Sequence, residues 1–116
     1  MANIAELQKQ LDEMIFSGKA LEGFDKFYDE NIVMQENTEP EYKGKAFNRK
    51  REQDFFATIE EWHGGRVLAS GVGDDVSFSE SEMDVTLKGV GRIQMTQVAV
   101  RKWKNDLIVH ERFYHK

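Results

Sequence analysis

Met83-Asp84-Val85-Thr86-Leu87-Lys88-Gly89-Val90-Gly91-Arg92-Ile93-Gln94-Met95 is the stretch on which the fold turns. Apolar and polar residues alternate on both sides of a glycine-bearing tip, the pattern of an antiparallel hairpin with one buried face. A two-residue loop sets Leu87 opposite Arg92 and Val85 opposite Gln94, pairing apolar with polar. A three-residue loop sets Leu87 opposite Ile93, Val85 opposite Met95 and Met83 opposite Gln97, with Gly91 supplying a left-handed bulge. The second is preferred. A one-residue slip would send every side chain to the other face. The inner face then carries Ser79, Ser81, Met83, Val85 and Leu87 against Ile93, Met95, Gln97 and Ala99. The outer face carries Phe78, Glu80, Glu82, Asp84 and Thr86 against Gln94, Thr96, Val98 and Val100.

Working outward, the period of two predicts strands over Arg66 to Val72, Val76 to Lys88, Arg92 to Lys104 and Leu107 to His115. The last hairpin admits two solutions. A tight turn at Asn105-Asp106 turns His110, Arg112 and Tyr114 inward. A bulge near Arg101 to Trp103 turns Val109, Glu111 and Phe113 inward instead. Periodicity alone leaves both open.

Toward the N-terminus the period is helical. Ile4, Leu7, Leu11, Met14 and Ile15 share a stripe, Asn3 can cap it with Glu6 three residues on, and Gly18 ends it. Leu21, Phe24, Phe27 and Tyr28 predict a second helix, slightly weakened by Gly23. A short strand follows around Ile32-Val33-Met34, then a loop at Asn37 to Pro40. A third helix is predicted from about Lys45 to Trp62, with Phe47, Phe55, Ile59 and Trp62 inward, ended by Gly64-Gly65. No repeat, linker or low-complexity segment interrupts the chain. It reads as one α+β domain over residues 1–116, helices first and curled sheet second.

The composition narrows function mainly by exclusion. The net charge of -5, from 16 basic and 21 acidic residues, suits no phosphate backbone, so nucleic acid is not an expected partner. Apolar runs stop at three residues, as in Ile32-Val33-Met34, too short for a membrane span, and the N-terminus lacks a signal-peptide core. With no cysteine, disulfides and thiolate metal sites are ruled out, and a cytoplasmic address is expected.

Three helices, the run Phe27-Tyr28-Asp29-Glu30-Asn31-Ile32-Val33, the segment Glu60-Glu61-Trp62-His63-Gly64 and long strands containing Gly91-Arg92-Ile93-Gln94-Met95 and Ile108-Val109-His110-Glu111-Arg112-Phe113-Tyr114 occur in that order. This sequence resembles SnoaL-like proteins of the nuclear transport factor 2-like superfamily, over nearly its whole length, and most of all an uncharacterised branch. The resemblance implies a cone-shaped, cystatin-like fold, with three N-terminal helices packed on a strongly curved antiparallel sheet around an apolar pocket. It also favours the bulged last hairpin, with Glu111 and Phe113 inside. Superfamily members include isomerases, dehydratases, epoxide hydrolases and cyclases, and many only bind ligands or form dimers, so the fold alone assigns no reaction.

The expected pocket is lined by Trp62, Met83, Met95, Gln97, Ala99 and Phe113. Its candidate proton-transfer residues are Glu111, Glu36 and His63. An inward Glu111 would sit in apolar surroundings of the kind that raise a carboxyl pKa. Equally, it could be a structural acid paired with Arg101 or bonded to Gln97. Glu111→Gln is expected to spare the fold and weaken binding or turnover. Glu36 stands where isomerase-like relatives carry a base, although an exposed acid at a strand end is the plainer explanation. The isomerase pattern also needs a tyrosine from the first helix, which has none, and an acid where Ala99 stands, so steroid isomerisation is not expected. His63 either interacts with the end of the third helix or carries protons at the cone mouth.

His110 and His115 fall on opposite faces of a regular strand, and His-Glu-x-x-His is absent, so neither metal nor cofactor is expected. Arg49-Lys50-Arg51 and the stripe Glu80, Glu82 and Asp84 read as solvated surface. Gly71-Val72-Gly73 and Gly89-Val90-Gly91 read as turns, and Ser70 has no hydrolase frame. The expected partners are a small-molecule ligand and a second copy of the chain, docked through Phe78, Val98 and Val100 on the outer face. Three functions stay open: a binding protein with a largely apolar pocket, a cofactor-independent isomerase, lyase or hydrolase, and a structural assembly module.

Overall fold

The structure is a computed structural model and describes residues 3–116. Helix α1 (Ile4–Phe16) starts as its sequence directs, the Asn3 side chain accepting the Glu6 backbone N–H at 2.9 Å. It ends at Gly18, whose φ of 85° lets the Lys19 N–H reach back to the Met14 carbonyl at 2.8 Å. Helix α2 (Ala20–Phe27) packs on α1 through Gly23. A Cβ there would stand 3.0 Å from Leu11 Cδ1, so the glycine permits the close crossing.

Strands β1 (Tyr28–Glu36) and β2 (Tyr42–Lys43) precede helix α3 (Lys45–Ala57). Strands β3 (Ile59–Val72), β4 (Val76–Leu87), β5 (Gly91–Lys104) and β6 (Leu107–Tyr114) follow. The six strands form one curled sheet in the order β2-β1-β6-β5-β4-β3. The sheet is mixed rather than wholly antiparallel, because β1 lies parallel to β6.

The third helix is shorter than its periodicity suggests. It stops at Ala57, and Ile59 and Trp62 belong to β3. Thr58 closes the helix on the Phe55 carbonyl through both its N–H and its hydroxyl. The apolar spacing of Phe55, Ile59 and Trp62 suits a helix, but the edge of β4 from Ser77 to Leu87 needs a ladder partner, and β3 supplies it. Phe47 is correspondingly on the surface, 55% exposed.

The hairpin around Gly89 keeps its predicted faces but not its predicted partners. Leu87 pairs with Gly91, Val85 with Ile93, Met83 with Met95 and Ser81 with Gln97, around the loop Lys88-Gly89-Val90. The ladder is thus shifted by two residues from the expected one. A shift of two preserves every side chain's face, so alternation could not exclude it. The turn geometry decides: Gly89 takes φ 75°, and Val90 N–H bonds Leu87 O at 3.1 Å.

At the last hairpin both proposed devices are present together. Asn105 and Asp106 take φ 53° and 66° in a two-residue turn, and a bulge follows between Lys102 and Trp103. Trp103 faces Ile108, whereas Lys102 faces His110, leaving Val109 as the extra residue. Ile108, rather than Val109, is therefore the buried residue before the bulge, and Glu111 turns inward opposite Arg101.

The core gathers Leu7, Leu11, Phe24, Phe27, Tyr28, Ile32, Met34, Trp103 and Ile108 where α1 and α2 meet the middle of the sheet. The Phe24 and Tyr28 rings stack with centroids 4.4 Å apart, and Phe27 meets Trp103 edge-on. Burial of each such side chain stabilises the fold by roughly 1.5–3 kcal/mol. This packing closes one end of the cone and leaves the other open. Among the described residues no helix is long and apolar enough to cross a membrane.

Candidate functional site

The floor of the cone is a buried polar network, assembled by the β6 bulge. Glu111 is 0% exposed. Its carboxylate accepts the Tyr28 hydroxyl, which lies 2.7 Å from both oxygens, and the Arg101 Nε–H at 2.7 Å. Arg101 also donates through Nη1 to Asp12 at 3.0 Å and to the Gln8 side-chain oxygen at 3.2 Å. The Ser79 hydroxyl donates to the other Asp12 oxygen at 2.9 Å, and Gln8 donates to the Phe78 carbonyl. Among the described residues no buried side-chain N or O lacks a partner. Burial opposes the charge of Arg101, but Glu111, Tyr28 and Asp12 outweigh it and raise its pKa above the ordinary guanidinium value. Burial, and then the Glu111 carboxylate, push the Tyr28 phenol well above the usual range.

Glu111 thus matches the structural alternative named for it, paired with Arg101. Its surroundings are ionic rather than apolar. Removing one charge from a buried pair typically costs about 3–5 kcal/mol, so Glu111→Gln bears on the fold as well as on any ligand. The expectation that it would leave the fold untouched stands against this cost, and urea unfolding of the variant reads the difference.

Above the floor lies a cavity of about 700 Å³. The sheet contributes Ser81, Met83, Met95, Gln97, Ala99 and Phe113, five of them on the pocket-lining list drawn from the sequence. The helices contribute Leu11, Ile15, Phe16, Phe24, Phe55 and Phe56. Trp62 is not in this wall. It sits on β3, 38% exposed, beside Phe16 in a neighbouring pocket that shares Ile15, Phe16 and Phe56 with the cavity. The pocket expectation had placed it on a helix that ends before reaching it.

The three candidate acids and bases separate in space. Glu36 stands at the cavity mouth, paired with His115 Nε2 at 3.1 Å. The carbonyl of Lys116, and then the Glu36 carboxylate, raise the His115 pKa above the ordinary imidazole value. His63 bonds the Thr86 hydroxyl at 2.7 Å and does not line the cavity. It belongs to β3 and not to the end of α3, which corrects its placement at the cone mouth. Two acids of the outer-face stripe are paired across strands, Glu82 by Arg66 and Asp84 by Arg92. Among the described residues no three metal-ligating side chains converge.

Two cavity acids, Glu52 and Asp12, were absent from the sequence-derived candidates. Glu52 lies on the inner side of α3, half-buried, with its carboxyl in the cavity wall. Burial most of all, then Glu111 and Glu36 against the opposing Arg51, push its pKa up to about 7. Its signal was the spacing Asn48, Glu52, Phe55 and Phe56, one helix face in an otherwise polar helix. Asp12 had a similar signal, because Gln8 and Asp12 flank the Leu7 and Leu11 stripe.

An α+β cone whose curled sheet wraps a cavity under three helices defines the nuclear transport factor 2-like class. Within it, the chain belongs to the SnoaL-like domain family, whose model matches residues 2–115. It is 31% identical to a Mesorhizobium loti protein described as a candidate SnoaL-like polyketide cyclase and, in brackets, a carbohydrate phosphatase. That likeness covers 97% of this chain and 99% of the other, with TM-score 0.86. A Mycobacterium tuberculosis protein described as an LEH-like epoxide hydrolase is 10% identical over 96% of this chain and 80% of its own, with TM-score 0.76. A Xanthomonas campestris protein of unknown function with a cystatin-like fold is 13% identical over 98% and 91%, with TM-score 0.84. The last two show the shared fold. No curated protein matches the chain.

Proposed function

We propose that this protein binds a small, largely apolar molecule in the cavity between its helices and the inner face of its sheet. The observation that carries this reading is the contrast between wall and floor. The wall is rich in phenylalanine and methionine, with Ser81, Gln97 and Glu52 among them, while the floor's polar groups satisfy one another. The volume of about 700 Å³ falls in the ordinary range of small-molecule sites, about 300–1,000 Å³. The test uses the neutral fluorophore N-phenyl-1-naphthylamine. Its emission is expected to rise on binding at one site, and Ser81→Phe, which fills the cavity, is expected to weaken binding by at least about tenfold, or roughly 1.4 kcal/mol. Binding that ignores Ser81→Phe would place the probe elsewhere and defeat the reading.

A second reading is an enzyme that moves a proton without a cofactor, as an isomerase, lyase or hydrolase. Glu52 favours it, because a cavity carboxyl near pH 7 is poised to give or take a proton. Glu111 is held by its partners, Glu36 is at the rim and His63 is outside, so Glu52 takes the acid–base role. A kcat/KM that bends near pH 7 in the wild type and not in Glu52→Gln would mark this activity; a bend surviving in the variant would exclude it.

A further inference from the structure

We propose that the cavity selects ligands bearing a protonated amine or ammonium group, with the Glu52 carboxylate as counter-ion and aromatic faces around it. The inference rests on the cavity-binding reading and adds the charge of the guest. It starts from which charges are already satisfied. Asp12 is held by Ser79 and Arg101, Glu111 by Tyr28 and Arg101, and Glu36 by His115. Among the described residues Glu52 alone of the cavity acids has no hydrogen bond or ion pair.

Of the basic groups that line the cavity, Arg101, Arg51 and His115 already have partners. Arg101 is shared by two carboxylates. The Arg51 guanidinium lies 3.5 Å over the Tyr42 ring and donates to Asn48, and His115 faces Glu36, with Lys116 beside it at the mouth. One guanidinium against two carboxylates leaves the floor negative even before Glu52 ionises. An anionic guest is repelled there and a neutral one gains nothing from the field, whereas a cation is attracted. Phe16, Phe55, Phe56 and Phe113 bring aromatic rings to the cavity, the residue type whose faces stabilise organic cations.

The titratable groups that share the cavity with Glu52 are Asp12 from α1, Tyr28 and Glu36 from β1, Arg51 on its own helix, Arg101 from β5, Glu111 from β6, and His115 with Lys116 at the rim. Burial acts most on its titration, followed by Glu111, Arg51 and Glu36. A carboxyl at about 7 is mostly protonated at pH 6 and mostly ionised at pH 8. Binding of a cation should strengthen as that proton leaves, by up to about tenfold over this interval.

The test is calorimetric titration of the wild type with benzylammonium, benzyl alcohol and benzoate, with amide chemical shifts locating each probe. At pH 8 benzylammonium is expected to bind about tenfold more tightly than benzyl alcohol, and benzoate most weakly. Glu52→Gln is expected to erase the amine preference while retaining benzyl alcohol. The pH dependence of the wild type gives a second reading that needs no variant. Equal binding of benzyl alcohol and benzylammonium in the cavity would overturn the charge preference and leave the binding function standing. No binding by any of the three would overturn both. An amine affinity unchanged between pH 6 and pH 8, or a preference surviving Glu52→Gln, would remove Glu52 as the counter-ion.

Discussion

At the scale of residues, Glu111 and Glu52 are two acids with opposite settings. Glu111 is ionically satisfied and holds Tyr28 and Arg101 in place, whereas Glu52 is desolvated without a partner. Its folded-state value of about 7, against 4.5 for the ordinary side chain, means that folding favours the protonated form. The stability this contributes is complete below about pH 4.5 and is lost as pH rises to about 7 and beyond. Glu52→Gln is therefore expected to raise stability at pH 8, by on the order of 1–2 kcal/mol after allowance for water reaching a half-buried group, and to change little at pH 4. Urea unfolding at the two pH values measures this. A gain of the same size at both would show that burial of the charge is not the cause. The inward turn of Glu111 was one of two alternatives in the sequence, and family resemblance chose between them. Glu52 escaped notice because a lone carboxylate in a charged helix looks like surface until the sheet has closed over it.

At the scale of elements, alternation made the long hairpins and the cavity-facing parity legible. Residues 93, 95, 97 and 99 of β5 share a face, and continuing that count puts Arg101 and Trp103 there too. What alternation cannot carry is a ladder offset of two, so the faces were right and the partners at Leu87 and Val85 were not. The boundary of α3 was misread for a different reason. Phe55, Ile59 and Trp62 satisfy the spacing of a helix, and only the unmet ladder of β4, a tertiary demand, draws the last two into a strand. The two-residue β2 escaped reading because Tyr42 and Lys43 carry no pattern of their own and exist as a strand only against Val33 and Met34.

At the scale of the whole molecule, the outer face of the sheet holds partly exposed apolar side chains, with the Arg112 guanidinium over the Tyr114 ring. Phe78 is 42% exposed and Tyr114 43%, and the ladders Phe78–Val100 and Val98–Tyr114 lie side by side. We propose that a second copy covers this face in a two-fold dimer through Phe78, Val98 and Val100. Light scattering at micromolar concentration is expected to give twice the chain mass for the wild type and a single chain for Phe78→Asp; a monomeric wild type would sink the proposal. The placement of β6 between β1 and β5 has a consequence of another kind. Tyr28 meets Glu111 across 83 residues of sequence, and Arg101 is buried beside an acid that follows it in the chain. During synthesis, a nascent chain that has reached β5 carries a guanidinium with half its counter-charge still unmade and a sheet with a missing middle strand. The curled sheet can therefore join its two halves only after β6 has left the ribosome, and until then its greasy interior is open to chaperones and to other unfinished chains.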